Sequence, residues 1–358
     1  MRVLVIDAPG ILARELQNLA NSCDDFQLMI ACAANPLGQV TGSTDFSLFV
    51  SRRKVDLGAI ARLRKLIRDF QPDIVHSFLP RALSQTVIAT IGLRRQPKIV
   101  SFYGITRVPS WRDPSDWISY LCPKVAMHSC ESNAVKHALL QAGVKESKCE
   151  VIYNCVEKVQ HCLTKEQLLA KYNFPGDSFV IGTVASIRPV KGIDLMLRAL
   201  LECTHIPNWV SVIAGPMQDP TVAKLAEHPQ LKNRIRWLGF MPNAATIMKG
   251  MDLFVMPSRK EGLCRALIEA MGQGVCPIIS DAGGMKEVVR DEVDGVVFPK
   301  EDFKRLAAVI QRLLAAPELI SQYGHSAMER AEAMCSPKVV GDRVIKMYER
   351  LLARRASE

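Results

Sequence analysis

The sequence predicts an α/β protein made of two open parallel sheets in tandem, each flanked by helices. Three observations predict it. Short apolar runs alternate with longer amphipathic stretches, the pattern of strand–helix–strand units. The rhythm breaks once, over residues 157–177, and then restarts. A length of 358 residues suits two domains, at roughly 150–200 residues each. The composition agrees, since 48% apolar and 23% charged residues describe a soluble globule rather than a disordered or fibrous chain. The apolar run TVIATIGL (86–93) is far short of the ~18–20 residues that a membrane-spanning helix needs.

In order along the chain, the expected strands of the first half are RVLVI (2–6), FQLMIAC (26–32), DIVHSF (73–78), KIVSFY (98–103), KVAMHSC (124–130) and CEVIYN (149–154). Helix patterns lie between several of them, such as ALSQTVIATIGL (82–93) and NAVKHALLQAG (133–143). The segment 157–177 is polar, with one short helix and a turn at Pro175-Gly176, and reads as a linker. Alternation resumes with SFVIGTVA (178–185), the helix IDLMLRALLEC (193–203), WVSVIAG (209–215), RIRWLGF (234–240), DLFVMPS (252–258), VCPIIS (275–280) and GVVFP (295–299). After Pro337 a last helix, VVGDRVIKMYERLLARR (339–355), has nothing left to alternate with and can pack back on either domain. The expected division is 1–162, 163–337 and a terminal helix in 338–358. The chain opens directly on a strand, so no cleavable signal is expected before it. Eleven cysteines, an odd number without a Cys-x-x-Cys pair, suit reduced thiols and a cytoplasmic location better than a disulfide frame or zinc site.

The chemistry concentrates in MPSRKEGLCRALIEAM (256–271). A strand ends at Pro257-Ser258, and a helix pattern begins near Leu263 or Cys264. The amides of Leu263, Cys264 and Arg265 at that helix start, with the macrodipole and the Arg265 side chain, suit an anion such as phosphate. Glu261 precedes the helix. Glu269 follows Cys264 by five residues, roughly 7–8 Å along the axis at about 1.5 Å per residue. That is the reach from a diphosphate to the ribose of the same nucleotide. A carboxylate accepts two hydrogen bonds at once and so favours vicinal hydroxyls. The plainer reading of the same residues is a helix with a charged first turn and one solvated glutamate.

The spacing Glu261-x7-Glu269, followed by PIISDAGGMKEVV, resembles the signature of the retaining glycosyltransferases of family 4. VIGTVASIRPVKGIDLMLRAL (180–200), VSVIAGP (210–216), IRWLGFMPN (235–243) and VIYNCVE (151–157) resemble further landmarks of that family, so the likeness runs from about residue 70 to 300. The resemblance implies the GT-B fold, two facing Rossmann-like domains, with the acceptor on the first and a nucleotide sugar mainly on the second. It implies transfer of a sugar from a UDP-sugar or GDP-sugar to a hydroxyl of a glycan or lipid-linked acceptor, without a cofactor or a divalent metal. Consistent with that, the sequence has no Asp-x-Asp.

By the same resemblance, Lys191 and Arg188 in RPVKG stabilise the departing diphosphate. Ser186 stands where the partner arginine is usual, and Arg188 is the substitute. Glu261 is assigned to the transferred sugar and Glu269 to ribose. Gly283 and Gly284 fall near the sugar and diphosphate, Phe240 and Met241 near the base, and Gly10, with Arg14 behind it, near the donor phosphate. Tyr103-Gly104 stands where the family has a His-Gly pair beside the reacting sugar, and His76 ends a neighbouring strand. A tyrosine there can donate a hydrogen bond but carries no charge at neutral pH.

The formal net charge of +10 is uneven: residues 1–165 hold 21 Lys and Arg against 14 Asp and Glu, and the rest hold 25 against 22. The clearest cluster is SRRKVDLGAIARLRKLIRDF (51–70), with Arg62, Arg64, Lys65 and Arg68 beside an apolar stripe of Leu57, Ile60, Leu63, Ile67 and Phe70. It reads either as a helix packed on the sheet or as one lying on an anionic membrane surface at the inner face. Trp111, Trp117 and Tyr120 read as an interfacial loop or as core. Nucleic acid is not an expected partner, since no recognised motif is present and aromatics are only 6%. A sugar-nucleotide epimerase and a non-catalytic nucleotide-sugar-binding protein are the alternatives. The lack of Gly-x-Gly-x-x-Gly after the first strand argues against a nicotinamide dehydrogenase.

Overall fold

The computed structural model describes residues 1–23, 25–32, 45–48, 56–156 and 159–353. Residues 51–55 of the basic segment, Glu157 and residues 354–355 of the expected last helix lie outside the described residues. The chain divides into two compact units, Met1–Cys155 with Pro337–Glu358, and Val156–Ser336.

Among the described residues, the first unit holds strands β1 (Arg2–Ile6), β2 (Gln27–Cys32), β3 (Asp45–Leu48), β4 (Ile74–Ser77), β5 (Lys98–Tyr103), β6 (Val125–Cys130) and β7 (Cys149–Val151). They pair in parallel in the order β3-β2-β1-β4-β5-β6-β7. Four-residue β3 has no counterpart among the expected strands, because so short a segment carries too little periodicity to read. Strands β1 and β2 are buried on both faces along nearly their whole length, which is why they read as unbroken apolar runs. On β1, Val3 and Val5 join Leu16, Ile74 and Val100 on one side, while Leu4 and Ile6 join Leu63, Ile67 and Val75 on the other.

The helix Pro337–Ala353 completes the first of these clusters with Val344, Met347, Tyr348 and Leu351. Each such side chain, when buried, contributes about 1.5–3 kcal/mol. The helix runs against Gly10–Asn21, and its Arg350 holds the Glu150 carboxylate.

The basic segment forms the helix Leu57–Phe70, capped by the Asp56 carboxylate, which accepts from the Ala59 amide at 3.0 Å. Its Ile60, Leu63, Ile67 and Phe70 are buried against the sheet. The apolar stripe that could have lain on lipid is therefore occupied internally, and only Leu57 is turned outward, 79% exposed. Lys65 is paired with Asp69 at 2.7 Å. Of the aromatic loop, Trp111 and Trp117 are exposed and Tyr120 is core. No helix among the described residues is long and apolar enough to cross a membrane.

The second unit holds β8 (Phe179–Val184), β9 (Trp209–Ala214), β10 (Ile235–Gly239), β11 (Leu253–Met256), β12 (Cys276–Ser280) and β13 (Val296–Phe298). They pair in parallel as β10-β9-β8-β11-β12-β13. Ile181, Ile213, Val255 and Ile278 pack with Leu197, Leu200, Ile310 and Leu313 of its helices. In each unit the strand order reverses once, at β1/β4 and at β8/β11. There the connections leave toward opposite faces and open a crevice at the carboxyl ends of the strands, where open α/β sheets bind their ligands.

Candidate active site at the β8/β11 reversal

Lys191 sits on the connection after β8, as the last residue of a single 3-10 turn, Pro189–Lys191. Glu261 sits on the connection after β11. The strand reversal brings them together: Lys191 Nζ lies 2.6 Å from Glu261 Oε2. Both side chains are largely buried, 16% and 14% exposed. The Ser258 hydroxyl donates to the same oxygen at 3.1 Å. Among the described residues, Glu261 Oε1 has no partner.

Two glycines permit the approach. Gly192 has φ +66, and a Cβ on it would stand 2.0 Å from the Pro257 carbonyl oxygen. Gly283, on the connection after β12, has φ +59, and a Cβ there would stand 1.7 Å from the Glu261 carbonyl oxygen. The next residue, Gly284, donates its amide to the Gly262 carbonyl at 3.0 Å. Three connections thus converge on residues 257–262.

Sequence reasoning missed the residue that ties the connections after β8 and β11 to each other. Arg259 donates a bidentate pair to Asp194 at 2.7 and 2.8 Å, reaches the Pro189 carbonyl at 2.6 Å and holds Glu301 at 2.7 Å. Its own amide donates to the Val190 carbonyl at 2.8 Å. Burial pushes the Asp194 carboxyl up, but Arg259 outweighs it and leaves the group below the usual carboxylate range. The only trace in the sequence is an arginine in a run of charged loop residues.

The helix expected from Leu263 or Cys264 runs from Arg265 to Met271, with buried Cys264 as its N-cap. Helix geometry therefore leaves the amides of Arg265, Ala266 and Leu267 without intrahelical carbonyls, a set shifted toward the C-terminus from the expected Leu263, Cys264 and Arg265. Burial pushes the Cys264 thiol up to about 12, so it stays a neutral thiol. Glu269 Oε1 accepts from Arg265 Nε at 2.9 Å, while Oε2 has no partner among the described residues. Arg188 is exposed, and its guanidinium has no partner among the described residues. Phe240, 73% exposed, and Met241 follow β10, which β9 separates from β8. Among the described residues no cluster of three or more His, Cys, Asp or Glu side chains is arranged to hold a metal ion.

In the first unit, Gly10 opens the helix after β1, and Gly104 lies after β5 against the Phe102 ring and the Glu131 carboxylate. Glu131, 6% exposed and bonded by Asn154 at 2.8 Å, went unnoticed in the sequence because no motif marks it. The structure corrects the reading of Tyr103 and His76 as sugar-side groups. Tyr103 is fully buried, edge-on to Tyr120 at 4.5 Å, with its hydroxyl donated to the Arg107 carbonyl. His76 is also fully buried, stacked on Phe78, with Nδ1 2.8 Å from the Tyr348 hydroxyl. Burial pushes its pKa down to about 3. Both belong to the core.

Comparison with known proteins agrees with this architecture. Residues 164–330 match the family model of glycosyl transferases group 1, and residues 26–159 match that of glycosyltransferase family 4. The capsular polysaccharide biosynthesis glycosyltransferase CapM of Staphylococcus aureus is 24% identical over 311 residues, 83% of this chain and 82% of that protein. The UDP-Gal:alpha-D-GlcNAc-diphosphoundecaprenol alpha-1,3-galactosyltransferase of Escherichia coli is 26% identical over 272 residues, 72% and 70% of the two chains. The crystal structure of Anabaena Alr3699/HepE in complex with UDP and glucose superposes with a TM-score of 0.77 at 19% identity, covering 98% of this chain and 99% of that one. With its two parallel α/β units, the chain has the GT-B fold and belongs to the group 1 glycosyltransferases of family 4.

Proposed function

We propose that the chain transfers a sugar from a UDP-sugar or GDP-sugar to a hydroxyl of a glycan or lipid-linked acceptor in the assembly of cell-surface polysaccharide. Transfer proceeds with retention of configuration and without a divalent metal. The observation that carries this reading is the 2.6 Å contact of Lys191 with Glu261 at the strand reversal. Lys191 has three N–H donors, of which one is on Glu261. The others, with Arg188 and the amides at the Arg265 helix start, neutralise the charge that develops on the departing diphosphate.

Glu261 and Glu269 are each anchored through one oxygen and open at the other. In this reading the open oxygen of Glu261 accepts from hydroxyls of the transferred sugar, and that of Glu269 from the ribose. In this reading no side chain serves as a nucleophile. The acceptor oxygen therefore attacks C1 on the face the diphosphate leaves, the C1–O bond to phosphate breaks, and the acceptor proton passes to the leaving phosphate oxygen. The names of the S. aureus and E. coli relatives support the acceptor class. Eleven free thiols support a cytoplasmic setting. An anionic membrane remains a partner of the first unit through charge alone, since its basic helix has no free apolar stripe.

The test is a panel of UDP- and GDP-sugars with polyprenyl-linked and glycan acceptors, run with and without EDTA, with the product's anomeric configuration read by NMR. Transfer with retention in EDTA is the expected result. Inversion, or loss of transfer in EDTA, overturns the mechanism.

A further inference from the structure

The helix Leu57–Phe70 ends on Gln71 in the left-handed conformation, φ 49, and the chain turns through Pro72 into β4. The connection between the helix Pro80–Ala89 and β5 returns beside this turn. The two enclose a cavity of about 430 Å³ lined by Arg64, Arg68, Gln71, Arg94 and Arg95. It opens at the amino ends of β4 and β5, the opposite end of the sheet from the loops that carry Gly10 and Gly104.

The four guanidinium groups are not equivalent. Arg64 Nη1 donates to the carbonyls of Ala89 at 2.9 Å and Ile91 at 2.6 Å, which fixes its plane and leaves Nε and Nη2 without partners among the described residues. Arg95 holds Asp73 at 2.7 Å and reaches Gln71 Oε1 at 3.4 Å. Arg68 and Arg94 are exposed and have no partner among the described residues. Among those residues, Asp73 is the one carboxylate bonded to any of the four; Asp69, on the same helix, is taken by Lys65. Like charges gathered in a concavity repel one another and attract an anion. Guanidinium forks match the oxygens of a phosphate bidentately, and about 300–1,000 Å³ is the usual range for a small-ligand cavity.

We propose that this cavity is an anion site for a phosphate-bearing group, separate from the nucleotide-sugar site, with Arg68 and Arg94 as the binding forks and Arg64 and Arg95 as fixed flanks. The group is either a soluble phosphate or diphosphate, or the headgroup of an anionic lipid. The proposal does not depend on the identity of the donor or acceptor.

Site-resolved modification of the full chain with phenylglyoxal, read by mass spectrometry, tests it. Pyrophosphate at about four times its Kd is expected to slow modification of Arg68 and Arg94 about five-fold, leaving exposed Arg112 unchanged. A parallel arm replaces pyrophosphate with vesicles of phosphatidylcholine alone or with phosphatidylglycerol, and measures co-sedimentation of the wild type and of R68A/R94A. Protection by pyrophosphate assigns a soluble ligand. Protection by phosphatidylglycerol vesicles only, with co-sedimentation lost in R68A/R94A, assigns a headgroup. Absence of protection in both arms overturns the proposal, whether or not vesicles still bind. Neither substituted guanidinium bonds to any of the described residues, so R68A/R94A is expected to melt with the wild type.

Discussion

Lys191 Nζ and Glu261 Oε2 stand 2.6 Å apart across 70 residues of sequence. The contact exists because β8 and β11 are neighbours at the strand-order reversal, so their connections meet at the carboxyl edge. Lys191→Met and Glu261→Gln are each expected to lower turnover roughly 10²–10³-fold. Breaking a charge-assisted bond at this depth is expected to cost about 1.5–3 kcal/mol of stability as well. The double variant, which leaves no unpaired charge, should regain stability without regaining activity. Turnover with a confirmed donor, set beside denaturant melts, checks this; wild-type turnover in either single variant would end the assignment.

Gly283 is the steric key of the same place. Gly283→Ala would force a Cβ to within 1.7 Å of the Glu261 carbonyl oxygen at φ +59. The left-handed conformation alone costs about 1–2 kcal/mol, and the clash must displace the Glu261 loop. The expected result is a loss of both stability and turnover. Gly239→Ala is the control, since φ there is +61 and an added Cβ would meet nothing within 4 Å, so it should carry the conformational cost alone.

Arg259 touches neither Lys191 Nζ nor the Glu261 carboxylate, yet it ties the two loops through Asp194, Pro189 and Val190. Arg259→Lys keeps the charge but cannot reproduce the bidentate fork and the carbonyl contact together. We expect it to lower kcat by about 10-fold or more through misplacement of Lys191, with a smaller change in the donor KM. An unchanged kcat would show that the loops hold their geometry without it.

His76 and His128 make the stability fall in acid. Both are buried, and burial lowers each pKa to about 3, whereas an unfolded histidine titrates near ~6.5. Above about pH 6.5 both states are neutral and the contribution is complete. Between that point and about 3 only the unfolded chain binds these protons, so stability falls with pH by up to about 1.4 kcal/mol per unit for each histidine. Urea melts at about pH 7 and about pH 5 should show the slope, and His76→Phe should remove one histidine's share. Tyr348→Phe removes the partner of His76 Nδ1, whose Nε2 already has none among the described residues. It is expected to cost about 1–3 kcal/mol.

Sequence alone determined the α/β alternation, the break between the two sheets, the loops that hold Lys191 and Glu261 and the helix that holds Glu269. Those signals are local: apolar runs, helix periodicity and motif spacing lie within a few tens of residues. Tertiary structure alone decided which of the marked residues meet. It paired Lys191 with Glu261 and brought in Arg259, because partners from different connections are set by strand order. It withdrew Tyr103 and His76 into the core, where Arg107, Tyr120 and Tyr348 take up groups that looked available to a ligand. It also separated Arg64, spent on two backbone carbonyls, from Arg68, which has no partner among the described residues, since the carbonyls that hold Arg64 lie on another element. Periodicity shows which face of an element is buried; only the packed chain shows what that face meets.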